Sequence, residues 1–194
     1  MEFIALVLFL FPLAYSPGPG NMLFAANGAR FGFRSTLPAT TGYHLATVIV
    51  TFVLGLGFSA VVGGAVKALL AIQIAGSLYV MSLAWKLWQS GSVDGIKDAK
   101  PIGFWGGATL LVLNPKAYVI IALMFSQFLN VESSVVFVAA ISIIFTLNNL
   151  VAFTVWTLIG DALARTFRNE RSARVLNRCL GVMLALVGVW MLFS

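Results

Sequence analysis

The residues of this chain best suited to hold a charged small molecule fall into two short motifs set in apolar surroundings. The first is Ser16-Pro17-Gly18-Pro19-Gly20 with Asn21 next to it, and the second is Asn114-Pro115-Lys116. Serine or asparagine before proline is helix-start chemistry. The side-chain oxygen can take an orphan amide, and proline has no N–H to lose. Ser16 and Asn114 are therefore expected as N-caps, with Pro17 and Pro115 as first helical residues, at two breaks inside stretches that otherwise read as single spans. A half-helix starting in mid-membrane turns free N–H groups and a positive dipole end inward, which suits an anion such as a carboxylate. Gly18 and Gly20 would let the backbone come close to a ligand.

Lys116 lies about halfway along an apolar segment, where a charge costs at least about 2.5–3.5 kcal/mol. It is expected to face the same cavity and pair with an anion there. Asn21, Asn148 and Asn149 offer carbonyl oxygens to an ammonium group, and His44, the sole histidine, is the candidate carrier of a coupling proton. Bland readings stand beside these: an ordinary proline kink, a lysine of lowered pKa or one snorkelling to an interface, asparagines as interhelical glue, and a hydrogen-bonded packing histidine.

Other chemistries lack their parts. One histidine, one cysteine and scattered acids (Glu2, Asp94, Asp98, Glu132, Asp161, Glu170) make neither a zinc set nor a serine–histidine–aspartate triad. No enzyme activity, metal site or cofactor is expected. Cys179 has no second thiol to pair with and reads as a small packing residue in the last segment.

The elements that must position the two motifs follow from composition. Of 194 residues 60% are hydrophobic and only 9% charged, whereas a soluble domain carries roughly a quarter charged residues. The expected architecture is an all-α integral membrane protein, a single transmembrane domain over 1–194. Six segments are long and apolar enough to span as helices: 3–26, 37–62, 68–89, 103–128, 135–159 and 177–193. A short polar loop runs from Gln89 to Lys100. The N-terminal segment lacks the positive region and cleavage site of a signal peptide and reads as a retained first helix.

Of twelve basic residues, ten fall in alternate loops: Arg30 and Arg34; Lys86, Lys97 and Lys100; Arg165, Arg168, Arg171, Arg174 and Arg178. The positive-inside rule then puts both termini on the periplasmic side. This distribution assigns the net charge of +6 to topology and headgroup contact, not to nucleic acid. Three crossings invert the second half, so repeats of about 1–100 and 101–194 would be oppositely oriented, with interrupted helices 1 and 4 meeting near the midplane. Glycines 55, 57, 63, 64, 103, 106, 107, 181 and 188 allow close helix approach, and a homodimer is compatible with such faces. The pattern points to a secondary transporter of a small zwitterionic solute; a scaffold subunit that transports nothing, and efflux of another small solute such as a metal ion, are the alternatives.

Several of these residues carry a resemblance. Pro17-Gly18-Pro19, then Gly28, Arg30, Gly32, Arg34 and Gly42, resemble the LysE/RhtB family of amino-acid exporters. So do Gly106 or Gly107, Asn114-Pro115-Lys116-Ala117, the aromatic-rich 125–128, and Arg178-Cys179-Leu180-Gly181 with Gly188. The likeness covers about residues 12–192. It implies efflux of amino acids or related metabolites across the bacterial inner membrane, driven by the proton-motive force. An acid that the family often carries early in helix two is absent; Thr36, Ala46 and Thr47 stand in those places.

Overall fold

The computed structural model describes residues 2–57, 66–89, 100–129, 133–166 and 170–193. Most of the expected polar loop, with Asp94, Lys97 and Asp98, lies outside these ranges, as do Gly63, Gly64, Glu132 and Arg168. All regular structure among the described residues is helical: α1 (Glu2–Tyr15), α2 (Pro19–Phe31), α3 (Phe33–Leu56), α4 (Val66–Gln89), α5 (Phe104–Val112), α6 (Pro115–Phe128), α7 (Val135–Thr166) and α8 (Glu170–Phe193).

The six expected segments correspond in position to α1 with α2, α3, α4, α5 with α6, α7 and α8. Of these, α3 and α7 are each long and apolar enough to cross a membrane. The pairs α1–α2 and α5–α6 meet the same test as broken spans, bent by 62° and 60°. Among the described residues that makes two spans, or four with each bent pair taken as one; α4 and α8 hold shorter apolar stretches, Ile74–Trp85 and Arg178–Val189. Helices outrun the apolar segments at several ends. α2 continues past residue 26 to Phe31, and α7 past 159 to Thr166, where Arg165 bonds Asp161 one turn back at 2.9 Å. Helical hydrogen bonding does not stop where hydropathy does.

α2 and α3 are joined by Gly32 alone. Its φ of +81° and ψ of 166° fall in a region open essentially only to glycine. Its N–H closes α2 on the Gly28 carbonyl at 2.9 Å, and the chain turns at once into α3.

α7 is the central post, packed by α1, α2 and α3; α3 also receives α5, and α4 packs along α8. Two of these seams are backbone against backbone. On the α2–α7 seam, a Cβ on Gly28 would run into the Thr157 carbonyl oxygen, and one on Gly160 into that of Ala25. On the α3–α5 seam, a Cβ on Gly42 would run into the Phe104 carbonyl oxygen and one on Gly107 into that of Ala39. Each seam is thus reciprocal, with a glycine from either helix admitting the other's main chain. This is the small-residue packing that serves where lipid leaves no hydrophobic drive between helices.

Large side chains fill the remainder in two layers. Leu6 and Leu10 of α1 pack with Ile120, Ile121, Met124 and Phe125 of α6 and Val138, Ile141 and Phe145 of α7. The other layer gathers Leu23, Phe24, Tyr43, Leu110, Leu111, Ala152 and Phe153. Polar residues of α3 and α7 largely bond within their own helices, as Thr40 to the Thr36 carbonyl and Ser142 to that of Val138. The outer faces of α1, α3 and α7 expose Ile4, Leu8, Ile49, Val53, Leu147 and Val151, as lipid contact requires.

A methyl group at a seam has only rigid backbone to displace. Gly42→Ala and Gly160→Ala are each expected to lower stability by about 1–3 kcal/mol through overpacking, read as a lower thermal midpoint of the detergent-purified protein. Gly103→Ser, at a helix N-cap where a Cβ meets nothing within 4 Å, is the control expected to stay at the wild-type midpoint or above it.

Candidate functional site

The prolines of the first break strip hydrogen bonds from the preceding turn. In an unbroken helix the Leu13 and Tyr15 carbonyls would accept from residues 17 and 19, both prolines without an N–H. A residue before proline is also pushed toward extended backbone, and Gly18, before Pro19, is extended at φ −165° and ψ 171°. This corrects the capping expected at Ser16. α2 starts two residues later, with Gly18 as N-cap and Pro19 first in the helix, and the Ser16 hydroxyl turns back to donate to the Leu13 carbonyl at 3.0 Å.

Each carbonyl from Pro12 to Gly18 nevertheless has a donor. Pro12 accepts from the Ser16 N–H at 3.1 Å, and Gly18 from Met22 N–H at 2.9 Å. Ala14 accepts from Asn21 Nδ2 at 2.9 Å, and Tyr15 from the Trp156 indole Nε1–H at 3.2 Å. Ser16 accepts from Lys116 Nζ at 2.7 Å, the Ser16 hydroxyl shares the same ammonium at 3.0 Å, and the Pro17 carbonyl lies 3.5 Å from it. Backbone groups without donors in a membrane cost several kcal/mol apiece. Side chains of α2, α6 and α7 therefore stand in for the missing rungs.

The second break follows the same logic with different partners. Asn114 occupies the N-cap position with Pro115 first in the helix, as expected, but its side chain makes no capping bond. Instead Asn114 Nδ2 donates to the Tyr43 hydroxyl at 3.1 Å, and its Oδ1 is buried without a partner. The Tyr118 hydroxyl donates to the Val112 carbonyl at 3.0 Å.

The two breaks meet. Asn21, Tyr43, Asn114, Lys116, Asn149 and Phe153 line a cavity of about 10 Å³, roughly the space of one water. It lies where the two apolar layers adjoin: on α7, Phe145 belongs to one and Ala152 to the other, with Asn149 between. Gly20 makes the closeness workable, since a Cβ there would sit 2.7 Å from the Phe153 ring. Phe24, Tyr43, His44 and Phe153 stack beside the cavity with ring centroids 4.6–5.7 Å apart. Lys116 has no carboxylate partner among the described residues, and these hold no cluster of three metal-binding side chains. The site joins one unneutralised cation to oxygens from Ser16, Pro17 and Asn114, which can receive a carboxylate and an ammonium side by side.

A family model for the LysE type translocator matches residues 11–194. The chain belongs to the LysE-type translocator family. Over 180 residues, 91% of this translocator, it is 30% identical to proteins of Salmonella typhimurium and Escherichia coli, each named cysteine/O-acetylserine efflux protein, and covers 88% of each. No solved structure matches the translocator. Family and apolar helices together make it a multi-pass membrane protein.

Among the residues singled out by sequence, Ser16, Pro17, Gly18, Asn21, Asn114, Lys116 and Asn149 come together in the translocator, with Pro19 and Pro115 as the helix starts beside them. Asn148 does not line the cavity; one residue from Asn149, it points round α7, and its Nδ2 is buried without a bond. His44 stands one ring away, against Tyr43 and Phe153. Sequence reasoning missed Tyr43 and Trp156 as partners of the breaks. It also missed buried Asn27, which bonds Thr36 at 3.0 Å and receives the Ile102 N–H at 3.2 Å, tying α2 to α3 and to the approach to α5. The available signal was a count of carbonyls stripped by the prolines, each demanding a donor from elsewhere.

Removing such a donor strands a carbonyl. Asn21→Leu, close in size, is expected to cost about 1–3 kcal/mol by leaving the buried Ala14 oxygen unbonded. Trp156→Phe is expected to cost less, because Tyr15 is only half-buried. Thermal unfolding of both purified variants checks the order.

Proposed function

We propose that this translocator is a secondary exporter of small zwitterionic amino acids and close derivatives, of the size of cysteine and O-acetylserine, acting outward across the bacterial inner membrane. The observation that carries this reading is the meeting of the two breaks. Lys116 of one lies on the freed carbonyls of the other, beside a cavity with an unpartnered asparagine oxygen. The substrate carboxylate pairs with Lys116 and the N-terminal turn of α6, and its ammonium takes oxygens from Ser16, Pro17, Asn114 and Asn149. The names of the efflux relatives, at 30% identity, support the substrate class.

Residues 1–100 and 101–194 act in this reading as inverted three-helix repeats with both termini periplasmic. The nearly equal bends of 62° and 60° support the repeat. A cavity of about 10 Å³ takes no amino acid, so the site must widen for each passage as one repeat rocks against the other, as alternating access requires. The proton-motive force drives the cycle through His44. Its Nδ1–H donates to the Thr40 carbonyl at 2.7 Å, which leaves Nε2 as the acceptor, buried and without a partner.

Uptake of labelled neutral amino acids into everted vesicles tests the proposal. Hydrogen bonds to charged groups are worth about 1.5–3 kcal/mol, so Asn114→Ala and Lys116→Ala are each expected to slow transport about ten- to a hundred-fold. His44→Gln is expected to remove the response to an imposed pH gradient while leaving exchange at equal pH. Transport by both of the first two variants at the wild-type rate, for every zwitterion tried, would sink the site assignment.

A further inference from the structure

The Lys116 side chain does more than supply a positive charge. Among the described residues, the oxygens it hydrogen-bonds belong to the first break: Ser16 O at 2.7 Å, Ser16 Oγ at 3.0 Å and Pro17 O at 3.5 Å. It lies flat against that backbone, because a Cβ on Gly18 would come within 2.8 Å of its Cδ and 2.9 Å of its Nζ. An ammonium held by carbonyl and hydroxyl oxygens is also how an amino acid's own α-ammonium would be held. These are the same oxygens that the reading above gives to the substrate.

We propose that the Lys116 ammonium sits in the seat of the substrate's ammonium, and that a zwitterion binds by exchange. Its carboxylate draws Lys116 off the first break, and its ammonium takes over the Ser16 and Pro17 oxygens. The proposal rests on the reading that the cargo is a zwitterion, and it adds why only a zwitterion serves. A carboxylic acid without an amine pulls Lys116 away and leaves carbonyls without a donor. An amine without a carboxylate meets an occupied seat and a like charge. Only a molecule carrying both groups leaves every donor and acceptor satisfied after the exchange. Lys116 thereby acts as the specificity-determining residue and as a tie between the two breaks that the substrate itself unfastens.

The test uses the full-length protein in lipid nanodiscs, with thermal stabilisation by three probes: a neutral amino acid, its carboxamide (amine only) and its N-acetyl derivative (acid only). Wild type is expected to respond to the amino acid alone. Lys116→Met empties the seat of its built-in cation without adding charge, so it should gain the carboxamide, binding it at least about tenfold more tightly than wild type, and lose response to the amino acid. Lys116→Arg keeps the charge and should go on excluding the carboxamide. A wild-type response to the carboxamide or the N-acetyl compound equal to that for the amino acid overturns the proposal. So does a monodisperse Lys116→Met protein that gains no carboxamide binding. Should Lys116→Met fail to fold, the wild-type and Lys116→Arg arms still decide. A wild type that neither binds nor carries any neutral amino acid defeats the parent reading instead, and the two failures are told apart.

Discussion

Lipid supplies no hydrogen bonds, and this single constraint organises the molecule around its first break. Prolines at 17 and 19 remove two helical donors, and the extended backbone between them prevents simple continuation. Carbonyls from 14 to 17 must then be bonded by side chains, and those side chains come from three other helical positions up to 141 residues away. Asn21 folds back from α2, Trp156 reaches from α7 and Lys116 from α6. A defect in one helix has become the hub that fixes the arrangement of three others. A polar site in the midst of apolar layers follows from that without further design.

Chemistry and packing are divided between different residues. The two apolar layers and the glycine seams hold helices in place through volume and close approach, and they carry no charge. The polar cluster sits between the layers, where Asn149 falls between residues committed to each. The seams of α2 with α7 and α3 with α5 resist parting, because main chain already touches main chain.

Much of this was legible in the chain. The breaks, their asparagine and lysine, and the helical architecture follow from Pro, Gly and hydropathy pattern alone. Ser16 does not cap α2 as its place before Pro17 suggests, because the second proline at 19 delays the helix by two residues. Asn114 held the right position and used its side chain otherwise, since the Tyr43 hydroxyl was in reach. Tyr43 and Trp156 were illegible for a different reason. A lone tyrosine or tryptophan in an apolar helix looks like any packing aromatic until the acceptor across the fold is known. Asn148 and Asn149 could not be separated by composition; only the rotation of α7 decides which one faces the cavity.

Gly32 carries a mechanical consequence. With one residue between them, α2 and α3 have no slack, so any swing of α2 about the Ser16–Gly18 break is handed directly to the start of α3. α3 bears Tyr43 and His44 on its third turn, next to the polar cluster. The two helices form a rigid elbow with its corner at Gly32: whatever tilts the short arm re-aims the ring of the only histidine in the protein.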